Sequence, residues 1–141
     1  MSRSGYVDDW DGDDWEFALC RGRVARAFKG KRGQAFLKDM LAALDAMPEK
    51  RLIAHELETS EGAVCALGSV GKVRGVDMTK LDPEDAESVA ATFGIAPSMA
   101  REIVYENDEG GRHDETPEDR FIRVREWIVR EIIPDVVGRV P

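Results

Sequence analysis

The sequence predicts a single, mainly helical domain of the α+β class, with about five helices and one small antiparallel β-hairpin. Apolar residues recur at helical spacing, Pro and Gly stand where those segments begin or end, and two short apolar runs flank a turn-like TSEG. A chain of 141 residues, 43% of them hydrophobic, suffices for one core. We therefore assign residues 1–141 to one domain, with a loose acidic arm (1–12) and a loose tail (135–141).

The first helix is predicted from about Asp14 to Lys29. Its apolar positions share one face, and they are Phe17, Cys20, Val24 and Phe28. Arg23, Arg26 and Lys29 then lie on the opposite face, where they form an exposed basic ridge. The segment GKRG that follows is interpreted as a joint between two helices, because each glycine costs a helix about 1 kcal/mol relative to alanine.

A second helix is predicted in GQAFLKDMLAALDAM, which places its apolar residues on one stripe and stops before Pro48. The next segment, RLIAHELETSEGAVCALG, holds two short apolar runs around TSEG, and this pattern predicts the two-stranded hairpin. Residues 66–76 are open to either a strand or a helix, because three glycines weaken both interpretations.

The later helices are predicted from their start signals. In LDPEDAESVAATFG, Asp82 is expected to be the N-cap and Pro83 the first helical residue, and Pro97 is expected to start the following helix. NDEGGRHDE predicts a polar loop. The last helix is expected to begin after Thr116 as N-cap and to close at Pro134. Its predicted apolar stripe contains Phe121, Val124, Ile128 and Ile132, widened by Trp127 and Val129.

Charge is strongly segregated along a chain whose formal net charge is −8. Residues 1–20 carry six acids and one base, residues 21–38 seven bases and no acid, and residues 82–119 twelve acids and two bases. Such asymmetry concerns partners rather than fold, and these segments either face each other or meet an external partner. The predicted contact residues are Arg23, Arg26, Lys29, Lys31 and Arg32, with Glu84, Asp85 and Glu87 as a second surface.

Two patterns suit an anionic partner to different degrees. SVAATFGIAPSMAREI matches a helix-turn-helix over residues 86–103, but its helices carry several acids and Arg101 as their only cation, which suits DNA poorly. We favour a structural helix-turn-helix, with DNA readout as the alternative. The basic ridge is the better candidate, because free N–H groups near Gly33 and Gln34 would add a helix N-terminus to Lys31 and Arg32.

No motif assigns an enzymatic reaction. The only conceivable nucleophilic set is Cys65 with His55 or His113 and an acid such as Asp108. The spacing of these residues does not indicate that they lie within hydrogen-bond reach of one another. Cys20 and Cys65 are expected to be reduced, buried thiols rather than a disulfide or a zinc site. The acidic opening lacks the Gly and Glu positions of an EF-hand. We therefore predict no enzyme, no cofactor and no metal.

No apolar run approaches the roughly 18–20 residues that a membrane span needs. The N-terminal residues also contain no hydrophobic signal core. We therefore expect no membrane partner and a cytoplasmic location.

Several blocks of the sequence resemble a family of tailed-bacteriophage and prophage proteins that has no assigned activity. These blocks are MSRSGY, KGKRGQAFL, LAALDAMPEKRLIAHELE, CALGSVGK, FGIAPSMAREIVYENDEGG and TPEDRF. The resemblance covers nearly the full chain, and it implies a phage origin and the cytoplasm of a bacterial host. By association, it favours stoichiometric binding to a host protein or nucleoprotein complex, such as a CRISPR surveillance particle, with direct nucleic-acid binding as the alternative.

Overall fold

The computed structural model describes the backbone of residues 14–134 and the side chains of residues 18–134. Within these residues the chain forms six α-helices and one short 3-10 helix, so the mainly helical class is confirmed and the count of about five helices is wrong. The helices are α1 (Asp14–Lys29), α2 (Lys31–Ala46), α3 (Ala66–Arg74), α4 (Ala86–Phe93), α5 (Pro97–Glu109) and α6 (Pro117–Glu131), with the 3-10 helix at Met78–Lys80. The predicted acidic arm (1–12), the predicted tail (135–141) and the side chain of Phe17 lie outside the described residues.

Helix α5 is the central element of the fold, because it packs against α1, α3, α4 and α6. Its first three turns bury Met99, Ala100, Ile103 and Val104 in the core. Helix α2 packs against α1, α3 and α6 and buries Leu37, Met40 and Leu44. The buried apolar side chains of all six helices belong to one hydrophobic cluster. None of the described helices has the length and apolar character that crossing a membrane requires.

The predicted β-hairpin is wrong as a two-stranded sheet. Residues 59–62 do form a turn, but pairing is limited to one antiparallel bridge between Glu58 and Val64 in the described residues. Pairing stops there because Cys65 already caps α3, its Sγ accepting the N–H of Gly68 at 3.4 Å. On the other side, Leu52 donates its N–H to the carbonyl of Pro117 instead of extending a ladder.

Residues 66–74, which the sequence leaves open between strand and helix, form α3. Gly68 is required by packing, since a Cβ there would lie 1.9 Å from the carbonyl oxygen of Leu57. The helix ends at Gly75, whose φ of 71° is a left-handed conformation that glycine adopts without steric cost. The glycines that obscure the pattern therefore allow close packing and end the helix.

The predicted start of α4 and the predicted end of α5 differ from the structure. Helix α4 begins at Ala86, because Asp85 rather than Asp82 accepts the capping hydrogen bond, from Ser88. Residues 82–85 form a turn instead, closed by the N–H of Asp85 and the carbonyl of Asp82. Helix α5 runs through Glu109, so the predicted polar loop begins too early. The N-cap at Thr116 is confirmed, since its hydroxyl accepts the N–H of Asp119 at 3.1 Å.

Candidate functional site

Five cationic side chains lie together around the junction of α1 and α2, and we call them the basic surface. They are Arg23, Arg26, Lys29, Lys31 and Arg32, and all five are exposed. Helix α1 is amphipathic because its opposite face buries Val24 and Phe28, each 4% exposed, in the core. The predicted separation of apolar and basic faces on this helix is therefore present.

The joint between the two helices is one residue, not the predicted four. Gly30 has extended backbone (φ −69°, ψ 163°), and α2 already begins at Lys31. Gly33 allows the helices to approach, since a Cβ there would lie 1.9 Å from the carbonyl oxygen of Ala27. Lys31 and Arg32 thus occupy the first turn of α2, directly after Lys29 of α1. The first backbone bond of α2 joins the N–H of Gln34 to Gly30, so the three preceding N–H groups lack acceptors within the helix.

Gln34 fixes this junction to the end of α6. Its Nε2 donates to the carbonyl of Phe28 at 2.7 Å and to the carbonyl of Glu131 at 3.0 Å. Its Oε1 accepts the backbone N–H of Ile133 at 2.8 Å. An edge-to-face contact between the rings of Phe28 and Trp127, with centroids 5.7 Å apart, adds a second link. The backbone under the basic surface is therefore held in place by specific contacts.

The basic surface makes no ion pair with any acidic side chain that the structure describes. Arg21, which belongs to the same basic segment of residues 21–38, differs: its Nη1 and Nη2 donate to the two carboxylate oxygens of Glu102, both at 3.0 Å. Such a bidentate pair is geometrically specific, and it ties α1 to α5. The expectation that the basic segment faces the acids of residues 82–119 is thus met by Arg21, but by none of the five residues of the basic surface within the described structure.

The predicted second surface, which we call the acidic surface, consists of Glu84, Asp85 and Glu87. All three are exposed, at the start of α4. Asp85 has a structural role here, since it accepts the Oγ–H of Ser88 at 2.8 Å and its backbone N–H at 3.2 Å. These hydrogen bonds, the side-chain one first, hold the pKa of Asp85 below its ordinary value. The side chains of Glu84 and Glu87, in contrast, do not cap α4.

The predicted helix-turn-helix is formed by α4, a turn and α5. Gly94, with φ of 73°, ends α4, and its N–H donates to the carbonyl of Ala90 at 2.8 Å. In DNA-binding proteins the second helix offers its N-terminal residues to a groove. Here the first two turns of α5 expose only Pro97 and Arg101, because the helix is central to the fold. This arrangement favours the structural interpretation of the motif.

Of the predicted nucleophilic set, the structure places His55 in contact with Asp108. The backbone N–H of His55 donates to Oδ1 of Asp108 at 3.2 Å, and the imidazole Nδ1 lies 3.8 Å from Oδ2. Cys65 is 1% exposed and caps α3. Cys20 is only half-buried, so the prediction of two buried thiols holds for Cys65 alone. His113 is exposed in the loop after α5. The Cys65 thiol is therefore buried, whereas the imidazole of His55 is exposed.

Sequence reasoning missed Asn107, which lies in the predicted loop. Its side chain is 1% exposed, and it accepts the N–H of Ala66 at 3.1 Å and donates to the carbonyl of Ile53 at 2.9 Å. It therefore caps α3 from α5 and fixes the backbone next to His55. Nothing in the local sequence signals this role, since both partners are more than 40 residues away.

A second polar cluster missed by sequence reasoning joins α5 to α6. Arg123 donates to both carboxylate oxygens of Glu115, at 2.6 and 3.0 Å, and to the carbonyl of Glu106 at 2.7 Å. Burial raises the pKa of Glu106, against the opposing effect of the Arg123 guanidinium. A shallow cavity of about 620 Å³ lies over this cluster, lined by Gly110, Gly111, Arg112, Glu115, Asp119 and Arg123. Its central charges already neutralise each other, so the cluster connects helices.

The described residues contain no group of three or more metal-ligating side chains. Comparisons of this chain with protein-family models, curated proteins and solved structures gave no match. The basic surface is consequently the feature from which a function is argued.

Proposed function

We propose that this protein acts by stoichiometric binding to a macromolecule of a bacterial host, and that the basic surface is its contact face. The observation that carries this proposal is the absence of acidic partners around five clustered cations in the described structure. Like charges held close together repel one another, so the cluster lowers stability unless a counter-charge meets it. A negatively charged partner supplies that counter-charge.

A protein or nucleoprotein partner suits the charge distribution better than free nucleic acid. The whole chain has a formal net charge of −8, so the surface outside the five basic residues repels a polyanion. Complementary patches of both signs instead favour a partner with mixed charge. Glu84 and Glu87 would then face cations on that partner, as phosphates do in a nucleic-acid channel. Together with the phage resemblance, this supports an inhibitor of a nucleic-acid-handling complex, including an anti-CRISPR role.

Direct nucleic-acid binding is the second candidate function. It is favoured by the first turn of α2, where Lys31 and Arg32 stand beside backbone N–H groups that have no acceptor in the helix. The five residues of the basic surface include no aromatic side chain, and Phe28 is buried, so base stacking gains no support there. This candidate therefore predicts phosphate contacts that lack sequence preference.

A capture experiment separates the two functions. Tagged protein is incubated with bacterial host lysate, with and without nuclease, and bound material is analysed by mass spectrometry and nucleic-acid staining. The proposal predicts a stoichiometric protein complex that survives nuclease. Recovery of nucleic acid alone, released as salt is raised, would contradict it and establish the second candidate.

A further inference from the structure

The last turn of α6 and the residues directly after it expose aliphatic side chains. Val129 is 46% exposed, and Ile133, which follows the C-cap residue Ile132, is 48% exposed. The sequence predicts that Val129 widens the core stripe, but no described element packs over its outer side. Arg130 is also exposed, in the last turn of α6. The end of this helix thus combines apolar and cationic side chains.

Contacts described above place this helix end against the cations. The N–H of Ile133 is bonded to Oε1 of Gln34, and Lys31 lies one turn before Gln34 on the same side of α2. The contact between Phe28 and Trp127 joins the last turns of α1 and α6 in the same region. Ile133 therefore lies beside the first turn of α2, which carries Lys31 and Arg32, and Val129 lies in the last turn of α6, whose end meets the same junction through Gln34.

The surrounding charges limit where this face extends. Glu126 is exposed on the same side of α6, between Val129 and another exposed aliphatic residue, Ile122. Its carboxylate would repel an acidic partner, so Ile122 falls outside the combined face. The favourable region consists of Val129, Arg130 and Ile133 together with the basic surface.

We infer that this face binds an acidic amphipathic segment of the partner protein, one that carries carboxylates and bulky apolar side chains at helical spacing. The carboxylates meet the cations of the basic surface, and the apolar side chains cover Val129 and Ile133. Burial of these exposed aliphatic groups adds affinity that charge alone does not supply. This inference rests on the proposed function and specifies the chemistry of its partner.

The test uses labelled peptides of about 18 residues, or five helical turns, and the full-length protein. One peptide carries Glu and Leu at helical spacing, and a matched peptide has every Leu replaced by Ser. Binding is measured by fluorescence anisotropy for the natural protein, for Val129→Ser/Ile133→Ser, and for Ile122→Ser as a control outside the face. We expect the Leu peptide to bind the natural protein about tenfold more tightly than the Ser peptide.

The double variant should lose most of that preference, while Ile122→Ser should keep it. Equal binding of the two peptides, or an unchanged preference in the double variant, would overturn the inference. So would tighter binding to anionic phospholipid vesicles than to the Leu peptide, or self-association that the double variant abolishes. If Arg26→Glu/Lys29→Glu weakens capture of the host complex while the peptide preference is absent, only this inference fails. If charge reversal also leaves capture unchanged, the proposed function fails with it.

Discussion

The side-chain amide of Gln34 donates to the backbone carbonyl of Phe28 at 2.7 Å, although the two residues belong to different helices. Phe28 lies in the last turn of α1, where carbonyl groups have no partner within the helix. The same amide reaches Glu131 at the end of α6. One half-buried side chain thus satisfies the ends of two helices and supports the backbone that carries the basic surface.

Gln34→Ala should lower the free energy of unfolding by about 2 kcal/mol, because it leaves partly buried carbonyls without donors. Urea unfolding followed by circular dichroism measures this loss. The matched control is Arg32→Ala, an exposed neighbour in the same helix, which should change stability by no more than about 0.5 kcal/mol. Equal effects of both substitutions would show that Gln34 does not hold the junction.

Asn107→Leu should be among the most destabilising single changes in the chain. It removes the acceptor of the Ala66 N–H and the donor to the Ile53 carbonyl at a site that is 1% exposed. Leaving such groups unsatisfied costs about 1–3 kcal/mol each, so we expect a loss of about 3 kcal/mol or more. Thermal unfolding provides the measurement, and a melting temperature within a degree or two of the natural protein would contradict this role.

Gly33→Ala should force α1 and α2 apart, because the added methyl would overlap the backbone carbonyl of Ala27. We expect a loss of at least about 2 kcal/mol in urea unfolding. Gly22→Ala is the control within α1, since its added Cβ would meet only the flexible end of Arg26, at 3.3 Å. That change should be neutral or stabilise by up to about 1 kcal/mol, because alanine favours a helix interior. Similar losses of stability for Gly33→Ala and Gly22→Ala would contradict the close approach of α1 and α2 at Gly33.

Glu106→Gln should raise the free energy of unfolding relative to the natural protein, and this gain should be largest near neutral pH. Burial holds the folded-state pKa of Glu106 above its ordinary value of 4.5, so the folded protein binds this proton more tightly than the unfolded chain. The contribution of this group to stability therefore rises as pH falls toward 4.5, and it is smallest where the carboxylate is ionised. Urea unfolding at about pH 7 and near pH 4.5 should show the variant's relative advantage shrinking on acidification.

Asp45→Asn provides a comparison of opposite sign. The side-chain hydrogen bond from Arg125 lowers the pKa of Asp45, so its contribution is present above the ordinary value of 3.8 and is lost as pH falls below it. The variant's relative disadvantage should be largest near neutral pH and should shrink below 3.8. If the stability differences of the two variants from the natural protein changed in the same direction with pH, the buried environment of Glu106 or the hydrogen-bonded environment of Asp45 would be contradicted.

The sequence predicts most of the helices because their signals are local. Helix α1 occupies the predicted span, since an apolar stripe and a following glycine define its length. The Thr116 cap and the start of α5 at Pro97 depend likewise on neighbouring residues only. The start of α4 was misplaced because two aspartates compete for the cap, and the choice depends on Ser88, which hydrogen-bonds Asp85.

Features that depend on contacts between distant residues could not be predicted from local sequence patterns. The pair between Arg21 and Glu102 joins residues 81 positions apart, so no local sequence pattern indicates it. Asn107 resembled a loop residue because its partners come from elsewhere in the chain. The exposed side of α1 was predictable from helical periodicity, whereas its adjacency to Val129 and Ile133 depends on how α6 packs. The binding role of the basic surface itself stays a prediction.

The most direct test of that role compares capture of the nuclease-resistant host complex by three forms of the protein. Arg26→Glu/Lys29→Glu reverses two charges in the basic surface, and Arg101→Glu/Arg112→Glu reverses two exposed charges outside it, giving both variants the same net charge. We predict that the first variant loses at least about tenfold in captured complex at a melting temperature no lower than that of the natural protein, while the second captures as the natural protein does. Equal capture by the two variants would contradict the claim that the basic surface is the contact face.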